Sequence, residues 1–220
     1  MDSTIKLYSY WRSSASYRVR IALNLKELKH EVVPVNLVKD DGEHRQSEFH
    51  HLNPQERVPV LIDGGRIVRQ SLAIIEYLEE VYDGHRLLPG TARERARARG
   101  LAHLIATDIS PLGNLSVLNY LALEDHMPQI ERERWVRTWI NRGFAAFEEL
   151  IADNPSTGEF CEGDLPSIAD CCLVPQVYSA RRFEVDLTPF PTICRINDHC
   201  LSLPAFDLAR PEKQVDAPPG

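Results

Sequence analysis

Short stretches of alternating or β-branched apolar residues mark four strands in the first third of the chain. Ile5 to Tyr8 alternates apolar and polar side chains, and His30 to Val35 holds three valines between polar flanks. Val58 to Ile62 leads through an Asp-Gly-Gly turn into Ile67 and Val68, which is the pattern of a hairpin. We therefore predict two separate strands followed by a pair of strands joined in a hairpin.

Two helices are predicted among these strands. Residues 13–16 are rich in serine and open an apolar segment that reaches Leu25, and residues 70–71 precede a helical pattern that ends at Val81. The order of elements is then βαβ followed by ββα, which is the order of a thioredoxin-like domain. We assign this α/β domain to residues 1–84.

The remainder of the chain has helical spacing. Beyond a linker at residues 84–90 no convincing strand pattern occurs, and we predict an all-α domain over residues 91–220. Its helices are predicted at 92–120, 128–152, 167–181 and 191–201. Pro111 should kink or split the first of these helices. The tail over residues 211–220 is expected to be loose.

Charge and composition exclude several classes of protein. The 220-residue chain has a net charge of −7, which argues against a protein that binds nucleic acid. It contains no apolar run of about eighteen residues, so no membrane span is expected. Residues 1–4 form a polar start rather than a signal peptide, and we predict a cytoplasmic protein.

Cysteine and histidine give no sign of a metal site. The five cysteines all lie in the second half without CxxC spacing, and we expect them to be reduced and mostly buried. His44, His50 and His51 lie in a polar region without a second set of ligands. We predict no bound metal.

The strongest candidate for chemistry is the serine-rich start of the first helix. Backbone N–H groups and the hydroxyls of Ser13 and Ser14 converge there at the positive end of a helix dipole, which suits an anion or a thiolate. No cysteine lies in this segment, so the sulfur of a thiolate would belong to a cofactor. The alternative is that these serines only cap the helix.

Three further places could bind a ligand. Gln70 and Ser71 are suited to hold a carboxylate at a helix start, unless they serve only as a cap. A cis peptide bond between Val58 and Pro59 would present the Val58 backbone to an extended peptide. Arg181–Arg182 follows a largely apolar helix, where one guanidinium could pair with a substrate carboxylate or act as a helix C-terminal cation.

The stretch from Tyr10 to Leu23 resembles the signature of the zeta class of glutathione transferases, which typically reads SSCxxRVRIAL. Here the residues are YWRSSASYRVRIAL. Other stretches similar to this family extend over nearly the whole chain: Leu52–Pro54, Val58–Pro59, Gln70–Glu80, Asn114–Leu118, Leu173–Val177 and Val185–Pro191.

The resemblance implies a thioredoxin-like domain that binds glutathione, a helical domain that completes an acidic-substrate pocket, a cis Pro59 and a homodimer. Ser13, Ser14 and Ala15 would surround the glutathione sulfur. Val58 would pair with the peptide backbone, and Gln70 with Ser71 would hold the γ-glutamyl end. The remaining implied site residues are His44, Ser110, Asn114, Leu115 and Ser116 for the cofactor and Arg182 for a substrate carboxylate.

The sequence departs from the family pattern at three positions. The cysteine of the signature is Ala15 here, so any role of that thiol is absent while the serine hydroxyls remain. Two glutamines often found in the family are Ser110 and Gly113 here. These two changes should alter cofactor affinity and substrate choice on the side of the helical domain.

The family resemblance implies cis-trans isomerisation of maleylacetoacetate to fumarylacetoacetate, a step in tyrosine and phenylalanine breakdown. A glutathione thiolate would add to the double bond, allow rotation and be eliminated again. Leu115 and Ser116 favour maleylacetoacetate over maleylpyruvate, which is the substrate of a sister enzyme. Three alternatives stay open: isomerisation of maleylpyruvate, halide displacement from α-halo acids, and a non-catalytic binding module, because fold alone does not fix function.

Overall fold

The computed structural model describes residues 4–39 and 42–219, so residues 1–3, 40–41 and 220 lie outside the described part. The chain forms two compact units. The first unit consists of Met1–Leu87 and Leu203–Gly220, and the second of Leu88–Ser202. The α/β fold followed by helices is confirmed. The predicted domain bounds of 1–84 and 91–220 stay predictions. They differ from the two units at residues 203–220, which were assigned to the helical domain and belong to the first unit.

The first unit is built on a four-stranded sheet whose strands are those predicted. They are β1 (Ile5–Ser9), β2 (His30–Pro34), β3 (Val60–Asp63) and β4 (Arg66–Arg69), in the order β2-β1-β3-β4. β1 and β2 are parallel, whereas β3 is antiparallel to both β1 and β4. A parallel pair requires a crossover connection, and the first predicted helix supplies it.

Helices lie between and after these strands in the described residues 4–39 and 42–87. α1 (Ser14–Leu25) and α3 (Ser71–Val81) pack against each other and confirm the predicted helices. A 3-10 turn at Glu43–Arg45 and the short α2 (Ser47–Leu52) were not predicted. A helix of six residues is too short to show an apolar period.

Asp63, the last residue of β3, is hydrogen-bonded to one residue of α3 and to the residue that directly follows α3. Its Oδ2 atom accepts hydrogen bonds from the hydroxyls of Tyr77 at 2.8 Å and Tyr82 at 2.6 Å. Asp63 is buried, and burial together with the hydrogen bond to Asp63 raises the pKa of both tyrosines. Both phenols therefore stay protonated and act as donors.

The second unit is helical, as predicted, and all of its residues are described. Its α-helices are α4 (Ala92–His103), α5 (Leu115–Leu123), α6 (Gln129–Ile151), α7 (Ile168–Arg182) and α8 (Pro191–Leu201). Between α4 and α5 the chain forms a π-helical segment at Leu104–Ile109 and a 3-10 turn at Ser110–Gly113. The prediction that Pro111 splits this region is confirmed. No helix among the described residues has the length and apolar composition needed to cross a membrane.

A buried carboxylate at the start of α7 is fully engaged in hydrogen bonds to nearby residues. Asp170 is fully buried and accepts hydrogen bonds from the backbone and hydroxyl of Ser167 at 2.8 and 2.9 Å, and from the Cys161 amide at 2.9 Å. Ser167 and Asp170 form a capping box. The prediction for cysteine is also confirmed: all five thiols are free, and Cys194 alone is not fully buried.

The C-terminal segment belongs to the first unit. A ninth helix, α9 (Pro204–Leu208), packs against α1, where the Asn24 side chain donates to the Ala205 carbonyl at 2.9 Å. The prediction of a loose tail over 211–220 is wrong for its described residues, because Asp216 accepts a hydrogen bond from the Trp11 amide at 2.9 Å. The partners lie about as far apart along the chain as its length allows, so no local pattern reveals them.

Candidate functional site

The N-terminus of α1 carries the two serines that the sequence singles out. Ser13 is the N-cap residue, and its hydroxyl oxygen accepts a hydrogen bond from the Ser16 amide at 3.2 Å. Ser14 is the first helical residue and takes no part in this cap. The capping alternative is thus confirmed for Ser13, while the hydroxyl proton of an N-cap serine can still be donated.

The loop before these serines shares an apolar cluster with Val58. The cluster contains Tyr10, Val35, Phe49, Val58 and Val60, and Trp11 packs against it. The Val58–Pro59 peptide bond is cis, as the family resemblance implies. The structure therefore brings the loop that leads to Ser13 and the segment before β3 into one cluster.

Gln70 and Ser71 do not cap α3 with their side chains. Gln70 stands at the N-cap position with a left-handed backbone (φ 70°), but its side-chain Nε2 donates to Oε1 of Gln55 at 2.7 Å instead of capping the helix. Ser71 is the first residue of α3, and its hydroxyl oxygen accepts a hydrogen bond from Arg18 at 3.2 Å. The capping alternative for this pair is wrong, and a buried cation lies beside Ser71.

Two buried arginines of α1 lie beside the predicted site residues and were not singled out in the sequence analysis. Arg18 and Arg20 are only 4% and 2% exposed. Arg20 donates to the Ser9 hydroxyl at 3.1 Å and to the carbonyls of Trp11 and Ala209, both at 3.0 Å. A signal was present, because both arginines stand in the apolar stretch of α1, where a charge needs dedicated partners.

His44 lies in the 3-10 turn, and one nitrogen of its ring is buried. Its Nδ1 atom is buried and has no hydrogen-bond partner among the described residues. Burial, reinforced by the charge of Arg45, lowers the pKa of His44 below its usual value. A half-buried neutral imidazole with an unpaired nitrogen is able to bind a polar ligand.

The second unit holds the predicted residues 110 and 114–116 around the start of α5. Asn114 is the N-cap residue of α5, and its side-chain oxygen accepts hydrogen bonds from the amide and the hydroxyl of Ser116 at 3.2 and 3.3 Å. Leu115 is the first residue of the helix. The Ser110 hydroxyl donates to Gln176 at 2.8 Å. These contacts give the polar residues structural roles within the unit, and their binding roles stay predictions.

Arg182 is the last residue of α7, and its guanidinium lies over the ring of Phe183 at 4.5 Å. Its neighbour Arg181 pairs with Asp198 at 3.3 Å. Arg182 is exposed and stands where a cation interacts favourably with a helix C-terminus. The predicted contact with a substrate carboxylate stays a prediction.

Known proteins similar to this chain match it over nearly its whole length. The family described as the N-terminal domain of glutathione S-transferase matches residues 3–80. A probable maleylacetoacetate isomerase from Vibrio cholerae is 49% identical over 211 residues, which cover 96% of this chain and 97% of that protein.

Solved structures indicate to which class of glutathione transferase the chain is similar. A maleylpyruvate isomerase described as a bacterial zeta-class glutathione S-transferase has a TM-score of 0.94 and 46% identity, covering 97% of this chain and 100% of that one. This chain belongs to the zeta class of glutathione transferases. A maleylacetoacetate isomerase from Methylobacterium extorquens AM1, crystallised with malonate and glutathione, matches with a TM-score of 0.94 and 40% identity over 97% of this chain and 100% of that one.

This zeta-class chain keeps the serine pair of the class signature at a helix N-terminus but has Ala15 in place of the signature cysteine. Two predicted ligand positions of the first unit, Ser14 and Ser71, are connected through α1. Ser14 begins this helix, and Arg18, one turn further on, donates a hydrogen bond to Ser71. A side chain of α1 therefore connects the helix that begins at Ser14 with the start of α3.

Proposed function

We propose that this chain is a glutathione-dependent isomerase that converts maleylacetoacetate to fumarylacetoacetate by thiolate addition, bond rotation and elimination. The observation that carries the proposal is the start of α1, where Ser13 caps the helix and Ser14 begins it. Hydroxyl and amide donors at a helix N-terminus favour a thiolate. The chain has no cysteine before Cys161, so we infer that the sulfur is that of the cofactor.

Glutathione fits the polar groups of the first unit. A carboxylate at its γ-glutamyl end suits Ser71, because the hydrogen bond from Arg18 places a positive charge there. Gln70 stands beside Ser71 at the helix start, and Val58 offers its backbone beside the cis peptide bond. The unpaired Nδ1 atom of His44 supplies one further polar contact.

When bound, glutathione supplies the nucleophile for reversible addition to the cis double bond. The task of the chain would be to keep the sulfur ionised, with the Ser14 hydroxyl and the first-turn amides of α1 other than that of Ser16, which bonds Ser13, as the donors. The Ser13 hydroxyl proton stays available, but the bond from the Ser16 amide already orients that side chain, so we assign the donor role to Ser14, whose hydroxyl takes no part in the cap. Arg182 remains our candidate for binding a substrate carboxylate.

Single serine replacements test this assignment in an assay of glutathione-dependent loss of maleylacetoacetate, coupled to a hydrolase specific for the trans product. Ser14→Ala should lower kcat/KM by about a hundred-fold, the usual effect of removing one donor from a developing anion. Ser13→Ala should chiefly cost about 1 kcal/mol of stability by removing the cap. Ser47→Ala is the matched control, because Ser47 is the exposed first residue of α2.

The same assay also contains the outcomes that would contradict the proposed isomerase function. If the native chain binds glutathione but turns over no maleylacetoacetate, the isomerase function is wrong. Turnover of dichloroacetate would then point to displacement of halide from α-halo acids. Absence of all turnover would point to a binding module.

Maleylpyruvate isomerisation is the second candidate function. The observation that favours it is the TM-score of 0.94 and 46% identity to a zeta-class maleylpyruvate isomerase. The malonate bound to the relative from Methylobacterium extorquens supports a dicarboxylate substrate of either kind. Measuring kcat/KM for both keto acids with the native chain separates the two functions.

We further propose that the enzyme works as a cytoplasmic homodimer in tyrosine and phenylalanine breakdown. The family resemblance carries the homodimer and the pathway. Sedimentation at several protein concentrations tests the dimer. Growth of a cell that lacks its own maleylacetoacetate isomerase, supplied with this chain and with tyrosine as carbon source, tests the pathway.

A further inference from the structure

The C-terminal segment reaches the loop that leads to the serine pair. The carboxylate of Asp216 accepts a hydrogen bond from the Trp11 amide at 2.9 Å, across 205 positions of the chain. Trp11 stands two residues before Ser13, and the Ser13 amide donates in turn to the Tyr10 carbonyl at 3.0 Å. The contact therefore acts on the turn from which α1 starts.

The carbonyl of Trp11 is held as well. Arg20 donates to it at 3.0 Å and, through another guanidinium nitrogen, to the Ala209 carbonyl at 3.0 Å. Both polar groups of the Trp11 backbone are thus bound, the amide by Asp216 and the carbonyl by Arg20. Because Arg20 also binds Ala209, the C-terminal segment is connected to Trp11 at two points.

The position of Asp216 is not explained by stability alone. Its second carboxylate oxygen, Oδ1, is buried and has no hydrogen-bond partner among the described residues. A buried carboxylate oxygen without a donor costs free energy. A carboxylate that is placed in this way fixes the Trp11 amide at a cost to the fold.

We propose that Asp216 and Arg20 are positioning residues, which hold Trp11 so that the serine pair at the start of α1 keeps the geometry required for stabilising the cofactor sulfur. This inference rests on the proposed function. A donor must be held within about half an ångström to stabilise charge in an active site. If Trp11 is released, the serine hydroxyls move, glutathione binds more weakly and its thiol ionises less readily.

Variants of Asp216 test the proposal through glutathione itself. Asp216→Ala removes the acceptor and should raise the dissociation constant of glutathione about five-fold, with a measurable rise in the pKa of the bound thiol. Asp216→Asn retains a side-chain oxygen that can accept from Trp11, and it should restore most of the binding. Calorimetry gives the affinity, and the ultraviolet absorbance of the thiolate against pH gives the pKa.

Glu212→Ala is the matched control, because it removes an acidic side chain from the same segment. Glu212 is exposed, and its ion pair is with Arg210 at 3.8 Å, within the segment itself. It should leave both glutathione affinity and thiol pKa unchanged. A loss in Glu212→Ala as large as that in Asp216→Ala would overturn the positioning role.

Two outcomes separate this inference from the proposed function. If the native chain binds glutathione and Asp216→Ala binds it equally well with the same thiol pKa, the positioning role is wrong and the proposed function stands. If the native chain does not bind glutathione, both are overturned. A fall in melting temperature without a change in thiol pKa would mark Asp216 as purely structural and also contradict the inference.

Discussion

At the residue scale, the lack of a side chain at Gly42 leaves room for the ring of His44. Gly42 has a left-handed backbone (φ 95°), and a Cβ atom added to it would lie 2.2 Å from Cε1 of His44. Gly65 has a similar backbone (φ 82°), but an added Cβ would meet nothing within 4 Å. The two glycines share the backbone requirement and differ in the contact with the histidine.

Alanine replacement of these two glycines should therefore have different effects. Each variant should lose about 1 kcal/mol of stability from the unfavourable backbone. Gly42→Ala alone should also displace His44 and weaken glutathione binding to the extent that His44→Ala does. Denaturant unfolding and calorimetry measure the two quantities. Equal glutathione affinities of Gly42→Ala and Gly65→Ala would show that the His44 position is unimportant for the cofactor.

The lowered pKa of His44 predicts a dependence of stability on pH. Burial keeps the pKa of folded His44 below 6.5, the ordinary value that the unfolded chain retains. Between these two values the unfolded state holds a proton that the folded state lacks, so stability falls as pH falls below about 6.5. The free energy of unfolding of His44→Gln should decrease less than that of the native chain between about pH 7.5 and about pH 5.5. An identical decrease in both proteins would contradict this.

At the scale of elements, the two tyrosines that share Asp63 connect β3 with the end of α3. Tyr77→Phe and Tyr82→Phe should each cost about 1 kcal/mol, because each removes one hydrogen bond to a buried carboxylate. The double variant should cost more than the sum, since it leaves Oδ2 without either phenolic donor. Tyr120→Phe, at a 60% exposed position, is the control in the same denaturant unfolding experiment.

Additive costs of the two tyrosine variants would show that the hydrogen bonds act independently. The contact would then contribute to local stability without coupling the strand to the helix.

The elements that the sequence predicted are those with a recognisable local pattern. β1, α1 and α3 carry apolar residues at regular spacing, β2 is rich in valine, and an Asp-Gly-Gly turn marks the hairpin of β3 and β4. Pro111 indicated the break after α4. α2 and α9 have six and five residues, so no periodic pattern can identify them. Their positions depend on the contacts they make in the folded chain.

The candidate site was predictable to a similar extent. Ser13, Ser14 and the Gln70–Ser71 pair stand at helix starts, and helix starts can be located from local sequence. Arg18 and Asp216 could not be assigned in this way, because their partners lie 53 and 205 positions away. Only folding brings such residues together.

At the scale of the whole molecule, the first unit requires residues that follow the second unit in the chain. A variant that ends at Ser202 loses the Ala205 and Ala209 carbonyls, which accept from Asn24 and Arg20. The amides of residues 5–80 should then exchange with deuterium at least about ten-fold faster, because about 1.4 kcal/mol of stability corresponds to that factor. The amides of α6 and α7 should keep their protection.

Removal of residues 218–220 is the control for this truncation, since Pro218 and Pro219 are exposed. Exchange in the first unit should not change in that variant. Unchanged exchange in the chain that ends at Ser202 would show that the C-terminal segment contributes nothing to the first unit.

The return of the C-terminal segment also has a consequence for biosynthesis. A ribosome adds residues 203–220 after residues 88–202, so the second unit has its whole sequence before the first unit does. The buried guanidinium of Arg20 obtains its Ala209 acceptor only when residues 203–220 have left the exit tunnel. During synthesis the unit that begins first is therefore completed after the second, and a nascent chain that stalls before residues 203–220 emerge exposes an unfinished first unit to chaperones and proteases.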